Sequence, residues 1–200
     1  MKTFLRIIEE FSEHGSLVRN EYLLSAGKFV KDEILIQGSI VELGSYRGGL
    51  TIKLAKIANE LGIEPIFAVD LWKETETAQS KLERISEEIY QSFLDKLESF
   101  NVSDDVFVIR QDTAETGENW DEGPISFLVI DANHRYEAVV QDIISWKDHV
   151  IEGGYIFVDD FGPWDGTNGP QGAVEDKLLK TQEAELIDQI GCYALLKKLN

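Results

Sequence analysis

The stretch Ser39-Ile40-Val41-Glu42-Leu43-Gly44-Ser45-Tyr46-Arg47-Gly48-Gly49 decides the fold. Its first half is a short apolar run that stops at Gly44, as a buried strand does. Its second half is a glycine-rich turn. Residues 48–61 then follow a helical period, with Leu50, Leu54, Ile57, Ala58 and Leu61 inward. Gly62 closes that helix as a left-handed C-terminal residue.

The same alternation continues downstream. Ile66–Val69 reads as a second strand, ending at Asp70. Residues 78–100 carry the helical stripe Leu82, Ile85, Ile89, Phe93, Leu97, Phe100. Val106–Ile109 reads as a third strand, leading to Gln111-Asp112, and Ile125–Ile130 as a fourth, ending at Asp131. A helix is expected over 134–150, with Val139, Ile143, Trp146 and Val150 on one side and Gly153-Gly154 breaking it. A fifth strand over 155–158 ends at Asp159-Asp160. Upstream, residues 2–13 and 19–36 read as helices. Downstream come a Gly/Pro/Trp loop at 161–172, a helix near 173–182, and strands near 185–190 and 192–198. Short apolar strands alternating with amphipathic helices imply a mostly parallel α/β sheet covered on both faces. The last two strands, parted by little more than Gly191, imply an antiparallel hairpin at one edge.

Composition narrows the function classes. The chain has 200 residues with 19 Lys plus Arg against 37 Asp plus Glu, a formal charge of −18. That opposes a nucleic-acid backbone or an anionic membrane as the main partner. A content of 43% hydrophobic residues, with 4 Trp and 10 Phe, excludes a disordered acidic tail. The single cysteine, Cys192, makes neither an internal disulfide nor a zinc cluster. No run is long and apolar enough to span a bilayer, and Met1–Gly15 lacks the apolar region of a cleavable signal, so a cytoplasmic protein of one domain is expected. Homo-oligomerisation stays open.

In an open α/β sheet, ligands bind beyond the carboxyl ends of the strands. Acids stand at four of the five such ends here. One alone reads as a helix cap or a turn residue; four together point to a site. The glycine turn lacks Gly-Lys-Ser/Thr and does not match G-x-G-x-x-G, and Glu42 would repel a pyrophosphate, so a cationic or neutral ligand fits better than a dinucleotide. Asp70 can accept hydrogen bonds from two ribose hydroxyls. Trp72 and Trp164 stand in loops at the same edge, where an aromatic ring can cover a ligand or form part of a lid.

With these residues in view, Val41–Gly49 resembles the first motif of class I S-adenosylmethionine-dependent methyltransferases, and Val69-Asp70-Leu71-Trp72 their ribose-binding second motif. The stretch Phe127–Glu137 is similar to the "IDGDHxYE" signature of macrocin-type O-methyltransferases, relatives at fold level of catechol O-methyltransferase. The continuation from Trp146 to Asp160 matches the same family, and Ala132 and Asn133 depart from its usual Gly and Asp. The resemblance spans roughly residues 38–198. It implies a Rossmann-like, seven-stranded, mostly parallel sheet with an antiparallel C-terminal hairpin, behind an N-terminal helical segment at 1–37. It also implies S-adenosyl-L-methionine as cofactor, with Glu42, Gly44, Ser45, Tyr46, Gly48, Asp70, Leu71, Trp72, Asp112, Thr113 and Asp131 on the cofactor side. The acceptor would be a hydroxyl of a small molecule, a sugar or a vicinal diol.

Asp131, Asp159 and Asp160 stand at the ends of two strands expected to be neighbours. Three carboxylates in one cleft repel one another unless a cation is present. Oxygen donors favour a hard ion, Mg²⁺ or Ca²⁺, with Mn²⁺ also open; the resemblance implies Mg²⁺. His134 is expected at the start of a helix, where the dipole lowers its pKa and keeps the imidazole neutral. In the macrocin-type enzymes the matching histidine is a proposed general base. Two rivals stand beside this reading: a nicotinamide-dependent oxidoreductase and a non-catalytic, cofactor-binding scaffold.

Overall fold

The first four strands and the second half of the fifth are nearly unbroken apolar runs, as a mostly parallel sheet covered on both faces requires. In the computed structural model, residues 2–11, 20–64, 66–73, 79–163 and 168–200 are described, 79–86 as backbone alone. Among them, seven strands form one sheet: β1 (Ser39–Leu43), β2 (Ile66–Val69), β3 (Val106–Ile109), β4 (Ile125–Ile130), β5 (Val150–Val158), β6 (Ala184–Ile190) and β7 (Tyr193–Lys198). Their order is β3-β2-β1-β4-β5-β7-β6. Strands β1 to β5 run parallel, and β7 is antiparallel to both β5 and β6. The chain leaves β1 towards β3 and then returns to the other side at β4. This reversal places the topological switch point between the tips of β1 and β4.

The helices are α1 (Thr3–Glu10), α2 (Asn20–Ala26), α3 (Asp32–Leu35), α4 (Gly49–Leu61), α5 (Gln79–Ser99), α6 (Thr113–Glu118), α7 (Tyr136–Trp146) and α8 (Gly169–Val174). Leu54, Ile57, Phe93 and Leu97 of α4 and α5 share one core with Phe4, Ile8 and Leu23 of α1 and α2. Val139, Ile143 and Trp146 of α7 and Ala173 of α8 share the core on the other face. The expected Rossmann-like, two-faced architecture is therefore present. No helix among the described residues is long and apolar enough to cross a membrane.

Several boundaries differ from the sequence expectation. The helix expected over 19–36 is two, α2 and α3. Gly27 marks the break, where a Cβ would come within 2.8 Å of Leu5 and 2.9 Å of Phe4. The helix expected over 134–150 spans only Tyr136–Trp146 before a 3₁₀ turn at Lys147–His149. Gly153-Gly154 does not break it. Both glycines lie inside β5, with Gly153 at φ 79°, and the β4–β5 register shifts between Ile125 and Phe127. Helix α6 was not expected, since TAETGE is short, polar and without an apolar period. The C-terminal helix starts earlier than residue 173, at Gly169, and runs on into a π-helical turn at Glu175–Leu179. The ends of the first two expected helices, residues 12–13 and 19, and Trp164 lie outside the described residues, as do the side chains of Leu82 and Ile85.

Phe157 shows how the hairpin joins the core. Its ring stacks on Tyr193 at 5.0 Å, and Tyr193 stacks in turn on Tyr22 of α2 at 5.3 Å. Phe157→Ala should destabilise the fold by about 3–5 kcal/mol, by loss of buried area and by the cavity left behind. A urea titration checks this: the midpoint should fall with an unchanged slope, and an unmoved midpoint would show that the hairpin is not part of the cooperative core.

Candidate active site

The tips of β1 and β2 are tied together by one carboxylate. Asp70 Oδ2 accepts from the Tyr46 amide at 2.9 Å, and Oδ1 accepts from the Trp72 amide at 2.6 Å. The Trp72 indole N–H then donates to the Tyr46 carbonyl at 2.7 Å, which closes a ring of three bonds. Tyr46 and Trp72 both hold positive φ, 46° and 44°, a left-handed conformation that costs a non-glycine residue free energy. The Ser45 amide also acts on this carboxylate, which has about four acceptor positions in all and so keeps room for a further donor. Burial pushes the Asp70 carboxyl above its usual range, against the pull of the amides. The Trp72 ring is 3% exposed and packs on Tyr90 and Phe93 at 4.9 and 4.7 Å, so it supports the loop from beneath. Leu71 beside it is exposed.

Gly44 is where β1 meets β4. At φ 89°, a Cβ on Gly44 would lie 2.2 Å from the Asp131 carbonyl oxygen. This close approach requires glycine. Gly48, the left-handed residue that opens α4, lies against Phe93. Glu42 is 2% exposed beneath the turn and accepts from the Thr51 hydroxyl. Burial pushes its carboxyl up to about 8. Ser45 is also buried.

On the other side of the switch point, β4 and β5 bring Asp131, Asp159 and Asp160 together with His134. The imidazole Nε2 lies 3.4 Å from Asp131 Oδ1, and Nδ1 lies 3.0 Å from Asp160 Oδ2. Asp160 is a third non-glycine residue at positive φ, 48°. Asp159 is 7% exposed, and its Oδ1 has no hydrogen-bond partner among the described residues. Burial first, then the charges of Asp131 and Asp160, push Asp159 up to about 7. A buried carboxylate oxygen left in this way, beside two further carboxylates, fits a hard divalent cation. Among the described residues, however, no three His, Cys, Asp or Glu side chains are grouped to hold a metal ion.

The expectation of a lowered His134 pKa is corrected. Burial does lower it, but the hydrogen bond and charge of Asp131 and the charges of Asp160 and Asp159 outweigh burial and raise it above 6.5. The dipole argument also lacked its helix end: α7 begins at Tyr136 with Arg135 as its cap, so His134 lies outside the first turn.

The tip of β3 completes the row. The Asp70 amide donates to the Ile109 carbonyl at 3.1 Å, which brings residues 110–113 beside the Asp70 corner. Asp112 caps α6 by accepting from the Glu115 amide. The Thr113 hydroxyl donates to Asp142 of α7 at 2.6 Å.

A model of the methyltransferase domain matches residues 41–161 of the chain, the segment that carries every one of these tips. The chain belongs to the methyltransferase-domain family. It is therefore a methyltransferase with the class I, S-adenosylmethionine-dependent fold. An uncharacterised protein, R132 of Acanthamoeba polyphaga mimivirus, is 26% identical over 175 residues, 84% of this chain and 72% of that protein. Among solved structures, the O-methyltransferase NovP matches with a TM-score of 0.66 and 17% identity, over 99% of this chain and 80% of NovP. A candidate rRNA methylase from Clostridium thermocellum matches with a TM-score of 0.56 and 17% identity, over 84% and 93%. These two likenesses show the fold.

Sequence reasoning missed Thr51 and Asp142, the partners of this methyltransferase's Glu42 and Thr113. Each looks like an ordinary helix residue, and a partner 9 residues away for Glu42, or 29 for Thr113, gives no local signal. A separate cavity of about 640 Å³ opens at the other end of the sheet, between Phe29, Lys31, Glu152 and Lys197, and none of the expected site residues lines it.

The buried acids set an unusual pH dependence. Glu42 is raised to about 8, and Asp142 and Asp159 to about 7, from ordinary values of 4.5 and 3.8. Between those limits the unfolded chain has released protons that the folded chain keeps, so stability falls as pH rises. His134, also raised, adds stability below 6.5 that is lost as pH climbs through its folded value. The metal-free thermal midpoint at pH 5.5 should exceed that at pH 8.0 by about 3 °C or more. Differential scanning calorimetry checks this, and a midpoint that rises with pH would contradict these burial effects.

Proposed function

We propose that the chain is an S-adenosylmethionine-dependent O-methyltransferase acting on a hydroxyl of a small molecule, a sugar or a vicinal diol. The observation that carries this reading is the Asp70 corner at the switch point. A carboxylate oriented by backbone amides at a strand tip, with acceptor capacity left over, suits the hydroxyls of a ribose. The glycine turn at 44–48 then takes the methionine end, with Glu42 and Ser45 beneath it, and Asp112 and Thr113 take the base end. NovP, an O-methyltransferase by name, shares the fold and supports the choice of oxygen as acceptor atom. The −18 charge speaks for a small molecule over a nucleic acid.

The sulfonium methyl is already electrophilic, so the protein's work is to position the two reactants and to accept the acceptor's proton. His134 takes that proton, and Asp131 and Asp160 stabilise the imidazolium that results. Mg²⁺ belongs to this reading: Asp131, Asp159 and Asp160 would hold it, and it would supply the charge that acidifies a hydroxyl. A nicotinamide cofactor is disfavoured, because the turn at 44–49 lacks the G-x-G-x-x-G pattern that receives a pyrophosphate.

Titration calorimetry tests the cofactor assignment. S-adenosylhomocysteine should bind and NAD should not. Asp70→Ala should weaken S-adenosylhomocysteine by roughly 1.5–3 kcal/mol, through loss of charge-assisted hydrogen bonds. Tight NAD binding, or an Asp70→Ala variant with full affinity, would overturn the reading. His134→Ala should leave that affinity unchanged while lowering methyl transfer to a diol panel by about 10²–10⁴.

A further inference from the structure

Asp142 is a buried acid that no step above uses. It lies on α7, 2% exposed, and accepts from the Thr113 hydroxyl at 2.6 Å. One turn further along α7, the Trp146 indole N–H donates to the Thr113 carbonyl at 2.8 Å. The side chain and main chain of one residue are thus gripped from the same helix. The packing leaves no slack. A Cβ on Gly117 of α6 would come within 2.7 Å of Trp146 Nε1 and 2.8 Å of Ser145 Oγ. Trp146 is itself fixed at 0% exposure, with Trp120 against its ring at 5.0 Å. Helix α6 is short and polar and has little hold of its own on the sheet, since Thr116 and Gly117 are its buried residues. Its place is therefore set by α7.

We propose that Asp142 is a positioning residue for the cofactor's base: by fixing Thr113 it holds the Asp112–Thr113 turn at the tip of β3 in register with the Asp70 corner. Retaining a buried carboxyl here is poorly explained by stability alone, because burial pushes it up to about 7, and an apolar residue would avoid that desolvation. The geometry gives it a directional task instead. The same helix begins two residues after His134, which contacts Asp131.

This inference rests on the cofactor reading above, and the test separates the two. Binding of S-adenosylhomocysteine and of S-ribosylhomocysteine, which lacks the adenine, is measured for the wild type and for folded variants. Asp142→Ala should weaken S-adenosylhomocysteine about tenfold and leave S-ribosylhomocysteine unchanged. Asp142→Asn, whose amide oxygen still accepts from Thr113, should stay within about twofold of wild type for both. Thr113→Val should match Asp142→Ala, and the double variant should be no weaker than either single one. If Asp142→Ala does not fold, Asp142→Leu, which keeps the side-chain volume and loses the acceptor, takes its place. An equal loss for both ligands, or no loss for either, would overturn the positioning role while leaving the cofactor reading intact. A wild type that does not bind S-adenosylhomocysteine would overturn both.

Discussion

The Asp70 carboxylate is the constraint on which the site depends. Two left-handed, non-glycine residues, Tyr46 and Trp72, stand on adjacent strand tips, and neither conformation is favourable by itself. Asp70 holds both amides, and the Trp72 indole returns to the Tyr46 carbonyl, so each strained residue is held by the other. Because Trp72 is packed on α5 through Tyr90 and Phe93, the corner is anchored to the core and does not float as a loop. The strain is stored where the cofactor is proposed to bind, and the bonds that hold it already orient the carboxylate.

A second constraint acts across the switch point. Gly44 lies so close to the Asp131 backbone that no side chain fits between the β1 turn and the β4 tip. The cofactor side and the acid-rich side therefore share a boundary no wider than a main-chain contact. On the acid side His134 stands between Asp131 and Asp160, while Asp159 keeps a buried oxygen without a hydrogen bond among the described residues. An imidazolium satisfies part of this charge, and a hard cation would satisfy the rest.

The strands were legible in the sequence because a sheet buried on both faces demands continuous apolar runs, and SIVEL, IFAV and ISFLVI are such runs. Asp70, Asp131 and Asp159 were legible for the same reason: each is the first charge after its run. What failed depended on tertiary contact. Gly153-Gly154 reads as a helix break but bends a strand, and nothing local separates the two. The polar α6 has no period to detect and is held by Trp146 and Asp142, 33 and 29 residues from Thr113. The sign of the His134 shift was missed because the dipole argument weighed one helix end and not three carboxylates from two strands. Trp72 looked like a loop aromatic free to cover a ligand, yet its ring is core.

The most direct test of this account is a crystal structure of the chain grown with S-adenosylhomocysteine and Mg²⁺. The account requires the ribose hydroxyls on Asp70, the adenine beside Asp112 and Thr113, and the sulfur facing the cleft formed by Asp131, His134 and Asp159. Nucleoside density in the cavity between Phe29, Lys31, Glu152 and Lys197, with the strand tips empty, would contradict it.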